Sequence, residues 1–180
     1  MKNLLGCVLA LTSCTTLANW GVTGDITNMR IEKQNAQIVT AGVSFDIPTD
    51  FQSIKIVPIL RFGTGINSFG YTETEDGKPV LAKDGKPVRH NISVDYFAAL
   101  SIRSTYQATE AFSIFVQPTY ARTIGDVKQV GTKNKASYQA NDNGFGIGFG
   151  YKVDQHSNIE ISYEDFDEMS LVNLSYRYTF

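Results

Sequence analysis

The feature that most constrains this chain is an alternation of apolar and polar residues with a period of two, sustained almost from end to end. The last ten residues show it cleanly. Val172, Leu174, Tyr176, Tyr178 and Phe180 share one parity, and Asn173, Ser175, Arg177 and Thr179 the other. Successive side chains of a strand point to opposite faces, so this segment reads as a strand with one apolar and one polar face. The same reading predicts strands over 20–29, 37–47, 54–64, 92–104, 112–122, 144–153 and 159–164, which with 171–180 makes eight. In the fourth, Ile92, Val94, Tyr96, Ala98, Leu100 and Ile102 oppose Ser93, Asp95, Phe97, Ser101 and Arg103.

The connections alternate in length. The first is medium and the second, "PTDF", is a tight turn. The third, 66–91, is long and polar; the fourth, around 107–110, is short. The fifth, 123–141, is long and rich in lysine, asparagine and glycine, and the sixth, "DQHSN", is short. The seventh, "DFDEM", is short although it falls on the side of the long loops. The third contains "DGKPV" twice, at 76–80 and 84–88, and Asp-Gly favours a hairpin turn. A hairpin-like extension of a surface loop is therefore expected there. Short turns at one end, longer loops at the other and strands of about ten residues form the pattern of a membrane barrel. An even strand number puts both termini at the short-turn end. The first and last strands then close on each other, leaving no edge unpaired in lipid.

Composition agrees and removes other classes. At 180 residues the chain suits one domain, and a net charge of −2 gives no global field for nucleic acid. No apolar run is long enough for a spanning helix. Residues 1–18 read as a secretory leader, with one early lysine, an apolar stretch from Leu4 to Leu11 and then small residues. Two cleavage readings compete. Thr16-Leu17-Ala18 would give a mature start at Asn19, whereas Leu11-Thr12-Ser13-Cys14 resembles a bacterial lipobox and would make Cys14 a lipidated terminus. Either way Cys7 and Cys14 lie in the leader region, and a cysteine-free barrel suits an oxidising compartment.

The two faces decide what surrounds the barrel. The polar parity carries Asp25, Asp46, Asp95, Glu160 and Glu164 together with Lys55, Arg61, Arg103, Lys152 and Arg177. These balanced charges can pair across a lumen, as buried charges must. The apolar parity, turned to water, would exceed the apolar patches that soluble monomers tolerate. The expected fold is therefore all-β: an eight-stranded antiparallel up-and-down transmembrane β-barrel over residues 19–180. Its interior should be filled by side chains, with the glycines of 144–150 leaving room for long arginines and lysines. Trp20, Tyr96, Phe112, Tyr120, Tyr178 and Phe180 suit interfacial girdles.

The leader, the eight alternating strands and the terminal "LSYRYTF" together resemble the small outer-membrane β-barrel superfamily, including the OmpA transmembrane domain and the OmpX/Ail-type proteins. The resemblance covers essentially all of 19–180. It implies a bacterial outer-membrane location, contact with lipid and lipopolysaccharide, and a C-terminal signal for the barrel-assembly machinery at Tyr176, Tyr178 and Phe180. Asn173 and Ser175 stand where the family often has glycine.

No constellation points firmly to chemistry. The glycines of "GFGIGFG" recur every second residue, unlike a phosphate loop opening a helix. His156 and Ser157 with Glu160 or Glu164 are the residue types of a lipid A deacylase triad. However, they are adjacent at a short turn and would point to opposite faces. His90 has no metal-ligand partner at useful spacing, so neither a cofactor nor a metal is expected. The resemblance implies a non-enzymatic barrel that displays the loops at 66–91 and 123–141 for adhesion, host-factor binding or envelope integrity. Two alternatives stay open, a narrow channel for small or hydrophobic solutes and a lipid A-modifying enzyme.

Overall fold

The computed structural model describes residues 19–31, 34–47, 49, 53–76, 78–82, 85–132 and 135–180. The leader, both cleavage readings and Cys14 lie outside the described residues. The strands are β1 (Asn19–Ile31), β2 (Gln34–Asp46), β3 (Ile54–Gly65), β4 (Ser68–Thr72), β5 (Thr74–Glu75), β6 (Lys78–Pro79), β7 (Arg89–Gln107), β8 (Phe112–Gln129), β9 (Lys135–Lys152), β10 (Ser157–Phe166) and β11 (Met169–Thr179).

All long neighbours are antiparallel. The sheet runs from β3 through β2, β1, β11, β10, β9 and β8 to β7, and β7 pairs back onto β3 to close it. Where β3 stops, β4 continues alongside the outer part of β7, so the two make one stave and the barrel has eight. Register follows the alternation: Ile26 sits opposite Leu174, which in turn sits opposite Ile161, and all three point outward. This outward belt continues through Val43, Leu60, Leu100, Val116 and Phe149, each more than a third exposed. A closed barrel satisfies every ladder hydrogen bond internally while offering lipid only apolar side chains.

Aromatic rings mark both edges of the belt. At the end carrying Asn19 and Phe180, Trp20 packs on Phe45 with centroids 5.4 Å apart, Phe112 on Tyr151 at 5.1 Å, and Tyr178 on Phe180 at 5.2 Å. At the far end, Phe62 lies 6.3 Å from Tyr96, and Tyr120 and Tyr163 are exposed nearby along the same rim. Phe180 closes the last rung by donating its backbone N–H to the Trp20 carbonyl at 2.8 Å.

The structure departs from the sequence reading in three places. The first connection is not medium: only residues 32 and 33 separate β1 from β2. The long segment 123–141 is not a loop. β8 and β9 stay paired from Phe112 opposite Tyr151 to Lys128 opposite Lys135, and only residues 130–134 separate the two strands. Most of 66–91 is likewise strand or hairpin. These stretches looked like loops because both their faces are polar, but backbone pairing continues beyond lipid without an apolar face. In the third place, a β-bulge between Val94 and Tyr96 reverses the parity of β7. Val94 is buried and Ile92 packs against the core, while Asp95 is exposed, opposite to the alternation expected from sequence.

Both "DGKPV" copies make turns. The first joins β5 to β6, with Asp76 at φ 50°. In the second, Gly85 takes φ 77° and Ala82 donates to the Lys86 carbonyl at 2.8 Å.

Candidate functional site

The interior is filled in two tiers. Toward the far end lies an apolar plug in which Met29, Ile38, Phe69, Phe97, Phe166 and Leu171 are all buried. From mid-barrel to the near end the interior is charged and hydrogen-bonded. Glycine makes room where the two strands β9 and β10 bring bulk inward: a Cβ at Gly146 would lie 2.7 Å from Glu164 Cγ.

Glu164 is the centre of the polar tier. Arg61 donates to it through Nη1 at 2.8 Å and Nη2 at 2.9 Å, the Thr119 hydroxyl at 2.8 Å and Asn173 Nδ2 at 2.7 Å. Asn173 also donates to Ser162 and accepts from Thr27, tying β1, β10 and β11 together. Below it, Arg103 pairs with Glu160, donates to Gln117 at 2.8 Å and stacks 3.8 Å over the Phe115 ring. Arg177 bonds Asp46 at 2.8 Å and lies 3.9 Å from Glu160, and Lys55 reaches Asp46 at 3.1 Å from the near mouth. Asp25 accepts from the Thr40 hydroxyl.

One of the ten candidate lumen charges is elsewhere: Asp95 is carried outside by the bulge. Lys152, the last residue of β9, is exposed and lines the near mouth of the lumen with Asp46, Lys55, Glu160 and Arg177. The sequence reading missed the neutral partners Thr27, Gln117, Thr119, Ser162 and Asn173. Their place on the polar parity was a signal, but which of them meet depends on strands far apart in the chain.

The residues resembling a triad form a polar turn. His156 and Ser157 donate their backbone N–H groups to Asp154 Oδ1, each at 2.8 Å. The His156 backbone N–H above all, and then Ser157, hold the Asp154 carboxyl below the usual aspartate range. The His156 ring meets the Thr179 carbonyl through Nδ1 at 2.8 Å and stacks on Tyr178, while Ser157 Oγ accepts from Tyr176. The imidazole and the hydroxyl thus engage different partners. His90 contacts Glu73 at 3.0 Å and stacks on Tyr71. Among the described residues no three His, Cys, Asp or Glu side chains are grouped to hold a metal.

Beyond the far aromatic rim stands a flange made of β4 and the outer parts of β7, β8 and β9. β8 continues past Tyr120 to Gln129, about 20 Å of tilted strand. β1, β2, β10 and β11 end lower, so the flange rises on one side only. Its outward face carries an electrostatic clasp, with Lys135 Nζ 2.6 Å from Asp126 and Ser137 donating to the same carboxylate at 3.0 Å. The hydrogen bond from Lys135 is the main cause holding Asp126 below its ordinary range, and Asp126 raises Lys135 in return. On β9 the flange edge is open among the described residues: β10 pairs with β9 only from Gly144 to Lys152, so Lys135–Asn143 has a ladder partner on the β8 side alone.

No protein-family model matches the chain, and no curated protein does. Solved structures match in fold. Ail, the attachment invasion locus protein of Yersinia pestis, superposes with a TM-score of 0.56 at 10% identity, over 91% of this chain and 97% of that one. A structure of Ail in complex with the heparin analogue sucrose octasulfate gives 0.54 at 9% identity over the same shares. Neisserial surface protein A gives 0.50 at 9% identity, over 91% and 97%. The N-terminal β-barrel domain of Pseudomonas aeruginosa OprF gives 0.50 at 10% identity, over 89% and 97%. At such identities the likeness is one of fold.

Proposed function

We propose that this chain, a small β-barrel of the bacterial outer membrane, is a non-enzymatic display protein that holds the flange outside the cell for an extracellular partner. The observation that carries the reading is the open edge at Lys135–Asn143. An exposed edge offers unpaired N–H and C=O groups that an extended segment of another protein can join as an added strand. The edge carries no proline to block it. A rigid barrel fixed in the membrane keeps this edge upright, about 20 Å above the apolar belt.

Replacing residues 124–139 by a two-residue turn between Thr123 and Ala140, which pair across β8 and β9, removes most of the edge and leaves the belt intact. In cells displaying equal amounts of heat-modifiable barrel, the shortened variant should lose attachment to host cells or matrix. Unchanged attachment overturns the reading. The filled lumen supports display over conduction, and single barrels in planar bilayers should give no steady current.

A second ligand class follows from the outer cleft of about 630 Å³ between the Lys86–Arg89 segment and the turn at Gln129–Thr132. Its basic side chains suit a sulfated saccharide, the kind of ligand whose analogue Ail binds. Heparin competition separates this contact from strand addition. In the same reading, Tyr176, Tyr178 and Phe180 serve the assembly machinery, and the aromatic rim meets lipopolysaccharide. Intact mass of the purified protein distinguishes cleavage after Ala18 from lipidation at Cys14.

A further inference from the structure

We propose that the far mouth of the barrel holds a binding site for a small alkylammonium cation, on the inner face of the strand whose backbone forms the display edge. The site is a cleft of about 160 Å³ between the inner face of the β8–β9 hairpin and the rim formed by β1 and the start of β11. Ile31, Ile92, Val127 and Met169 give it apolar walls, and Asp142 and Glu168 supply carboxylates. Among the described residues neither carboxylate is in an ion pair and no lysine, arginine or histidine lines the cleft.

Two hydroxyls point to a ligand. Thr123 Oγ1 and Tyr138 Oη are buried without a hydrogen-bond partner, and Thr123 is only 2% exposed. Buried polar groups are nearly always satisfied, so two orphans lining one cleft mark a place for a polar group brought from outside. Gly125 makes this arrangement: a Cβ there would lie 2.6 Å from Tyr138 Cε1, so only glycine lets the ring lie across β8. Burial above all, and then the nearby Asp95 and Asp126, push the Tyr138 phenol up, keeping it neutral and able to accept a hydrogen bond.

The lining selects the ligand's chemistry. A carboxylate or phosphate would meet two acids and no base. An ammonium can donate to Thr123 and Tyr138 while Asp142 and Glu168 balance its charge, and a short alkyl body suits the walls. The volume equals about five waters of liquid, which fits a group the size of butylammonium.

The test uses the whole barrel in nanodiscs of zwitterionic lipid, titrated with butylammonium and followed by ligand-observed saturation-transfer NMR. Empty nanodiscs correct for partitioning. Saturable binding is expected, at least tenfold tighter than that of neutral 1-butanol. Ala140→Leu, which fills the cleft, should abolish it, and Asp142→Asn should weaken it at least fivefold. Thr123→Val, nearly isosteric, should also weaken it, and heat-modifiable mobility verifies that each variant is folded. The proposal is overturned by absence of saturable binding, by equal binding of butanol, or by folded variants that bind as the parent does.

Discussion

Truncating Glu164 to alanine tests whether the polar tier is a coupled unit holding the barrel together. The side chain is fully buried and accepts from Arg61 twice, from Thr119 and from Asn173. Without it the Arg61 guanidinium keeps, among the described residues, only Ser101, at 3.3 Å, as a hydrogen-bond partner. Stranding one member of a buried ion pair costs about 3–5 kcal/mol. Orphaning the Thr119 and Asn173 donors adds to this, and water entering the vacated space offsets part of the sum. The expected loss is therefore about 4 kcal/mol. Removing both charges with Arg61→Met and Glu164→Leu together should recover most of it, because no unpaired charge remains. Equilibrium urea unfolding in phospholipid vesicles measures the effect by linear extrapolation. Trp20 is the only tryptophan, stands in the lipid-facing rim and reports loss of the membrane environment by its emission. A loss below about 1 kcal/mol for Glu164→Ala, or a double variant no more stable than the single, would refute the reasoning.

Other outcomes follow from the same packing. Gly148→Val should destabilise the barrel by about 1–3 kcal/mol, because a Cβ there collides with the Phe115 ring; unfolding midpoints measure it. Leu174→Arg, at mid-belt between Ile26 and Ile161, should cost about 2–4 kcal/mol in vesicles. The same charge at Ala136, exposed on the flange above the belt, should be nearly neutral, and equal costs would misplace the belt. The clasp on the flange should depend on pH at both ends. Asp126 is depressed, so its contribution is present above the ordinary carboxylate range and lost as pH falls through the folded value. Lys135 is raised, so its contribution is present below the ordinary lysine range and lost as pH rises through the folded value. Amide exchange at Ser137, compared between parent and Asp126→Asn at neutral and acid pH, should show the difference only at neutral pH.

The alternation alone determined the fold class, the belt and the charged near part of the lumen, but not the apolar plug at the far end. Each follows from local parity: Ile26 and Leu174 face lipid because every second residue around them is apolar, and Arg61 and Glu164 point inward for the converse reason. Tertiary structure decided what parity cannot carry. A bulge needs one extra residue opposite a neighbouring strand, so the exit of Asp95 and the entry of Val94 became visible only with β7 and β8 in register. Asn173 meets Thr27 across 146 positions of sequence, and no local pattern could select that pair from the other polar residues facing inward. The flange was hidden for a different reason. Outside lipid, strands hold through backbone pairing with both faces wet, so β8 and β9 beyond Tyr120 and Phe145 carry no hydrophobic period to read. The open edge and the cleft beneath it arise there, where the chain's composition resembles a loop and its backbone forms a sheet.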